Sequence, residues 1–354
     1  MSPLDTRQAL DDHRTVRMSP LLSPALLRDE LPVDDRAADV VTRGRADVVD
    51  ILDGRDDRLL VVVGPCSIHD PAAALDYAHR LAAQAKRLSG DLHVVMRAYF
   101  EKPRSTVGWK GLINDPGLDE SFDVNRGLRT ARRLLLDITA LGLPVGCEFL
   151  DPITPQFIAD TVTWGAIGAR TAASQVHRQL VSALSMPVGI KNGTDGDVQV
   201  AVDGIGAAGA PHVFMGINAD GLAALVRTTG NPDAHVILRG GSAGPNYSVS
   251  DVADARARLA KAGLPERVVV DASHGNSRKD HVRQAEVVRE LATRIAAGDI
   301  GVNGLMMESF LVAGSQSLGG ELVYGQSVTD ECLSWETTET LLDELAAAVR
   351  ARRA

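Results

Sequence analysis

The sequence predicts an α/β protein, a TIM (β/α)8 barrel with an N-terminal extension and a β-hairpin inserted between barrel strands 5 and 6. Three observations predict it. Between residues 59 and 308, nine short apolar runs rich in Val, Ile and Leu end in polar or charged residues. Continuous apolar runs of this kind suit strands buried on both faces, as in parallel sheets. Helical patterns separate most of the runs, so βα units repeat. The chain has 354 residues, which is long for one core but ordinary for an α/β barrel.

Residues 1–55 are polar, with prolines at 3, 20, 24 and 32, and read as an extended arm followed by a helix from Asp35 to Leu52. Asp34 or Asp35 can cap that helix, and Gly54 can stop it. Leu21, Leu22, Leu26 and Leu27 need cover, so the arm is expected to dock on the barrel or on another subunit. Residues 56–354 form the expected barrel. The nine runs are Leu59–Gly64, Leu92–Arg97, Pro144–Phe149, Gly165–Arg170, Pro187–Lys191, His212–Ile217, His235–Arg239, Arg267–Asp271 and Gly304–Glu308. Helical stretches between them include Pro71–Ser89, Gly127–Leu141 and Asp280–Ala297. The odd run is His212–Ile217, separated from His235 by only 17 residues. A turn-like Asn218-Ala219-Asp220-Gly221 and a second run, Leu222–Val226, follow it, so residues 212–227 read as the inserted hairpin. No GxxxxGK[ST] motif occurs, which disfavours a P-loop fold.

Composition bounds the function. The formal charge of −9 argues against bulk nucleic-acid binding. No apolar run approaches the roughly 20 residues of a membrane helix, and Met1-Ser-Pro-Leu-Asp-Thr-Arg has no signal-peptide character. The three cysteines, Cys66, Cys147 and Cys332, are too few for a disulfide framework, so a reducing, cytoplasmic setting is expected.

Against that acidic background, Arg97, Lys102, Arg104 and Lys110 place four cations within fourteen residues just after an apolar run. Pro103, Gly108, Trp109, Gly111 and Pro116 restrict or shape the same backbone, which a loose surface loop would not need. Catalytic groups of barrels sit at the C-terminal ends of strands. Read in order, those ends give Cys66, Arg97, Glu148, Arg170, Lys191, Arg239, His274 and Glu308. Arg97, Arg170, Lys191 and Arg239, with Lys102 and Arg104, would form a cationic bowl for substrates carrying several negative charges. Cys66, His274, Glu308 and Asp330 form a mixed thiolate, imidazole and carboxylate set. It suits Mn2+, Fe2+, Co2+ or Zn2+ better than Ca2+ or Mg2+.

Several long motifs resemble one family: Gly64-Pro-Cys-Ser-Ile-His-Asp70, Arg97–Asp115, Gly168-Ala-Arg-Thr171, Ser174-Gln-Val-His177, Lys191-Asn-Gly-Thr-Asp-Gly196, Leu238-Arg-Gly-Gly241, Asp271-Ala-Ser-His-Gly-Asn-Ser277 and Met307-Glu-Ser309. They resemble type I 3-deoxy-D-arabino-heptulosonate 7-phosphate (DAHP) synthase, in its feedback-regulated microbial subfamily, from about residue 14 to the end. The resemblance implies condensation of phosphoenolpyruvate with erythrose 4-phosphate, the first step of the shikimate pathway to aromatic amino acids. It implies one divalent metal held by Cys66, His274, Glu308 and Asp330. Arg97, Lys102, Arg170, Lys191 and Arg239 match the phosphoenolpyruvate contacts, with Glu148 nearby. Lys102-Pro103-Arg104-Ser105 matches the erythrose 4-phosphate motif, Ser105 keeping the hydroxyl of the Thr found in many members. Lys102, Cys66, His274 and Glu148 are the implied catalytic groups. An aromatic amino acid site is implied at Asp151, Pro155, Gln156, Ser185, Phe214 and Gly216. Glycine at 216 is associated with tyrosine rather than phenylalanine, although Asn218-Ala219 departs from the usual Thr-Lys. A homodimer or homotetramer is expected.

Overall fold

A computed structural model describes residues 13–354. Eight parallel strands close into a barrel. In chain order they are β1 (Leu59–Gly64), β2 (Leu92–Arg97), β3 (Val145–Glu148), β4 (Trp164–Ile167), β5 (Val188–Lys191), β8 (Ala234–Leu238), β9 (Val268–Asp271) and β10 (Gly304–Glu308). β1 closes the ring on β10 with Gly64 opposite Glu308. All residues of these strands are buried, which is why they read as unbroken apolar runs. The antiparallel hairpin β6 (Val213–Ile217) and β7 (Ala223–Arg227) lies between the fifth and sixth barrel strands, as expected.

Two helices precede the barrel. α1 (Pro24–Glu30) is capped by Ser23, whose side chain accepts from Leu26 N. The extended arm expected here is therefore partly helical; Ser23-Pro24 is a cap followed by proline at the first helical position. Leu27 is fully buried, while Leu21 and Leu26 stay about half exposed. The expectation for residues 1–12 lies outside the described residues. α2 (Asp35–Leu52) has its expected bounds, with Asp34 accepting from Ala37 N. Its Val48, Ile51 and Leu52 pack with Leu60, Val62, Trp164, Ile237, Val269 and Met306 inside the barrel, so α2 plugs the N-terminal end. Gly44 permits that approach: a Cβ there would sit 2.8 Å from Thr163 Cγ2.

The outer layer consists of α3 (Pro71–Arg87), α4 (Val124–Ala140), α5 (Pro155–Ile158), α6 (Gln175–Ala183), α7 (Gln199–Ala208), α8 (Val249–Lys261), α9 (His281–Ala296) and α10 (Trp335–Arg353). A small ribbon of β11 (Val312–Ser315) and β12 (Gln326–Ser327) follows β10. The apolar pattern did not signal it, because β11 is largely exposed and β12 is only two polar residues long. A Gly-x-Gly-x-x-Gly spacing, Gly204 to Gly209, lies within α7 and its cap. It is not at a strand-to-helix turn, so it carries no dinucleotide signature. No described helix is long and apolar enough to cross a membrane.

Candidate active site

The C-terminal mouth of the barrel gathers the expected residues. Arg97, Glu148, Lys191 and Glu308 end their strands, whereas Cys66, Arg170, Arg239 and His274 stand one to three residues past the ends of β1, β4, β8 and β9. The strand expected over 165–170 thus stops at Ile167, and Arg170 sits in the following turn.

The cationic loop after β2 is folded back on itself. Lys102 N donates to Lys110 O at 2.8 Å, and Trp109 Nε1 to Asp115 O at 2.9 Å. Gly111 makes the fold possible, with φ +110° and a virtual Cβ only 2.1 Å from Phe100 O. The loop delivers Lys102 Nζ to 2.8 Å from Cys66 Sγ and 3.2 Å from Asp330 Oδ2. Burial pushes the Lys102 ammonium down, but Cys66, Asp330 and Glu308 outweigh it and raise it above its ordinary range. Burial and Glu308 raise the Cys66 thiol, partly countered by Lys102 and Arg97.

Arg97 is buried over the Tyr99 ring, 3.7 Å from its centroid, with Nη2 2.9 Å from Glu308 Oε1. Lys191 Nζ lies 2.8 Å from Asp271 Oδ2. Asp271 also stands 2.9 Å from His274 Nδ1, which leaves Nε2 facing Glu308 Oε1 at 3.7 Å. Burial would raise the Asp271 carboxyl, yet His274 and Lys191 hold it well below the usual carboxylate range. Asp271 was given no role in the sequence reading, where it ended a strand and opened a motif. Its partner Lys191 is 80 residues away, a pairing that no local pattern reports.

The donors fit a metal. One ligand atom each from Cys66, Glu308 and Asp330 lies within 4.8 Å of the others. Glu308 Oε1 is buried and makes no hydrogen bond, since Arg97 approaches it off-line. Such an orphaned carboxylate oxygen beside a thiol and a second carboxylate is a ready acceptor for a cation. His274 Nε2 faces this group from the side of Glu308 but is not within the same mutual distance. Asp330 is held on both oxygens, by Lys102 and by Lys279, each at 3.2 Å. Burial would raise its carboxyl, and Lys102, His274 and Lys279 carry it below the ordinary range instead.

A narrow chamber of about 60 Å³ opens above this group, and six of its thirteen lining residues are Lys or Arg: Arg97, Lys102, Arg170, Lys191, Arg239 and Lys279. It adjoins an open cleft of about 760 Å³ that adds Ser105, Ser242 and Arg278. Arg170 Nε donates to Ser105 Oγ at 2.9 Å, and Arg239 Nη1 to Gly240 O at 3.2 Å. Glu148 lines the chamber; Arg104 lines neither space and donates through Nε to Trp109 O at 2.9 Å. Lys279, with φ +65°, was missed although it follows the Asp271–Ser277 motif by two residues.

The expected effector residues lie away from the mouth. Pro155 is buried, Gln156, Phe214 and Gly216 are half-buried, and Asp151 and Ser185 are exposed. Arg28 of α1 donates to Gln156 O at 2.6 Å. Ala25 N donates to Ala219 O at 2.8 Å, so the arm also touches the hairpin turn. Glu101, next to Lys102, accepts from Asp151 N at 3.0 Å and Thr154 Oγ1 at 3.2 Å. Burial pushes the Glu101 carboxyl up to about 8.

Comparison with known proteins agrees with this architecture. A phospho-2-dehydro-3-deoxyheptonate aldolase of Corynebacterium glutamicum is 56% identical over 99% of this chain and 98% of its own length. The Phe-sensitive enzyme of that name from Escherichia coli is 55% identical over 97% of this chain and 98% of its own length. A tyrosine-inhibited one from Schizosaccharomyces pombe is 51% identical over 98% and 95%. The structure of the aldolase of the same name from Francisella tularensis superposes with a TM-score of 0.94 at 49% identity, covering 96% of this chain and 99% of that one. Residues 30–343 match the DAHP synthetase I family, and the chain belongs to that family.

Proposed function

We propose that this chain condenses phosphoenolpyruvate, D-erythrose 4-phosphate and water to DAHP and phosphate, the first step of aromatic amino acid biosynthesis. The observation that carries the reading is a chamber lined by six cations that opens beside a thiol and two carboxylates. C3 of phosphoenolpyruvate forms a bond to the aldehyde carbon of erythrose 4-phosphate. Water adds at C2, and the C–O bond to phosphate then breaks. A divalent metal held by Cys66, His274, Glu308 and Asp330 would supply Lewis-acid polarisation of the aldehyde.

The protein's own share is charge and position. Arg97, Lys102, Arg170, Lys191 and Arg239 bind the phosphate and carboxylate of phosphoenolpyruvate, and their pooled charge offsets the repulsion between two anionic substrates. Arg104 and Ser105 bind the phosphate of erythrose 4-phosphate, Arg170 being tied to Ser105. Glu148 lines the same chamber. Lys102, against Cys66 and Asp330, is the group best placed to stabilise charge at the aldehyde oxygen.

We assign residues 1–55 to an arm and helix for subunit and regulatory contacts, and residues 56–354 to the catalytic barrel. Tyrosine is the favoured inhibitor, bound at Asp151, Pro155, Gln156, Ser185, Phe214 and Gly216. Supporting this, among the described residues a Cβ built at Gly216 would meet only Val226, with Cγ2 at 2.9 Å, so glycine avoids that crowding and leaves its face of the strand clear for a ligand. A homodimer or homotetramer is favoured by the outer face of the hairpin, where Met215 and Leu225 are 91% and 65% exposed. Buried free cysteines fit a cytoplasmic enzyme.

The test is phosphate release from phosphoenolpyruvate with and without erythrose 4-phosphate, after chelation and metal add-back. Turnover that needs both the aldose phosphate and a metal supports the assignment. Turnover with arabinose 5-phosphate instead, or none with any metal, overturns it. Tyrosine and phenylalanine titrations then decide the effector, and inhibition by phenylalanine alone removes the Gly216 argument.

A further inference from the structure

Strand β10 outruns its neighbour. Its ladder with β9 ends at Met306, which faces Asp271 and accepts from Ala272 N at 2.9 Å. Two residues later comes Glu308, whose N–H and C=O point to the same edge of the strand as those of Met306. No barrel strand remains there; a one-residue parallel bridge from Leu333 gives Glu308 O a bond at 2.9 Å but leaves Glu308 N without a backbone partner. Gln284, in the second turn of α9, takes that place. Its Oε1 accepts from Glu308 N at 2.7 Å and its Nε2 donates to Glu308 O at 3.0 Å. Both residues are 1% exposed, so water has no access to these groups. The other edge is held by Ser309 N donating to Gly64 O at 2.9 Å.

A primary amide that both gives and takes at one residue imitates a strand partner. It fixes the backbone from which the Glu308 carboxylate projects. That carboxylate is contested, because Arg97 Nη2 already pairs with Oε1 at 2.9 Å. We propose that Gln284 is a positioning residue: by clamping the Glu308 peptide it keeps the carboxylate turned toward Cys66 and Asp330 and so sets the affinity of this group for a divalent metal. The inference rests on the metal-site reading above. α9 reaches the same group a second way, through His281 Nδ1, 2.6 Å from Glu331 Oε2 beside Asp330. Partners one step behind metal ligands commonly change metal affinity 10- to 100-fold when removed.

The experiment uses the full chain stripped of metal, as wild type, Gln284→Met, Gln284→Glu, Glu308→Gln and Thr161→Val. The last removes a buried hydroxyl that bonds Ile158 O, far from the mouth, and controls for general loss of stability. Mn2+ affinity is measured by competition with a chromophoric chelator, and the Mn2+-induced rise in Tm is read for each protein. Gln284→Met should bind Mn2+ about 10- to 100-fold more weakly, with a smaller metal-induced rise in Tm. Gln284→Glu, which keeps an acceptor for Glu308 N and fits the same space, should fall between it and wild type. It carries the test if the Met variant does not fold. Thr161→Val should lower Tm with and without metal by the same amount. Wild-type Mn2+ affinity in the Gln284 variants overturns the inference and leaves the metal site standing. Failure of Glu308→Gln to weaken binding, or no binding by wild type, overturns the metal site and this inference with it.

Discussion

The two ends of the barrel hold comparable numbers of charged side chains and use them in opposite ways. At the N-terminal end a cavity of about 810 Å³ is lined by Arg58, Arg256, Arg267, Arg352 and Arg353. Four of these meet acids of their own surroundings: Arg58 meets Asp56, Arg256 meets Glu266, Arg267 meets Asp53, and Arg353 meets Asp57 and Asp91. At the C-terminal mouth, Lys102 and Lys279 share the single carboxylate of Asp330. Arg170 and Arg239 meet only hydroxyl or carbonyl oxygens among the described residues. Charge neutralised within the fold serves structure. Charge left over, in a chain of net −9, has to be satisfied by something brought in from solution.

The comparison breaks most sharply at Lys102. Lys102→Met should lower kcat by about 10²- to 10³-fold in steady-state assays, as loss of one electrostatic donor does at a developing charge. Arg58→Met, at the opposite end, should leave kcat within about twofold, because exposed and half-exposed ion pairs contribute roughly 0–1 kcal/mol and touch no substrate. An equal effect at both ends would undo the distinction.

Next in size is the contrast between two buried or half-buried arginines. Arg239→Met should raise KM for phosphoenolpyruvate about 10- to 100-fold with little change in Tm, since charged hydrogen bonds are worth about 1.5–3 kcal/mol. Arg267→Met should do the reverse. It leaves Asp233 unpaired and Asp53 with Arg55 alone, so denaturant titration should show a loss of about 1–3 kcal/mol while KM stays put.

Metal removal sharpens the picture from the other side. Chelation should abolish turnover and lower Tm, with Tm recovering in proportion to the logarithm of added metal, as mass action requires. The effect should vanish in Glu308→Gln and persist in Arg267→Met.

The smallest expected effect at neutral pH is a slope that belongs to the N-terminal half and grows only on acidification. His235 is buried beside Trp164, whose Nε1 donates to His235 Nε2 at 3.1 Å. Burial lowers its pKa from 6.5 to about 3. The unfolded chain therefore binds a proton that the native state refuses. Stability from this group is complete above about 6.5 and is lost progressively as pH falls toward 3. His235→Gln should flatten the decline of Tm between those limits, and an unchanged slope would assign it to other groups.

Much of this protein was legible before its fold was known. The bounds of α2 and of β1, β2 and β10 follow from capping residues and unbroken apolar runs, because burial on both faces is written directly into residue type. The hairpin could be placed because its Asn218 turn interrupts the βα rhythm, and Asn218 Oδ1 does accept from Asp220 N and Leu222 N. The chemistry-bearing residues could be gathered because barrel topology sends every strand end to one face. The tertiary structure decided which of them meet. Lys102 lies 36 residues from Cys66 and 228 from Asp330, and Gln284 lies 24 from Glu308. Asp271 and Gln284 look in sequence like a strand end and an ordinary helical glutamine. Their roles arise from partners on neighbouring elements, and a one-dimensional pattern records the burial of a residue but not the identity of what it is buried against.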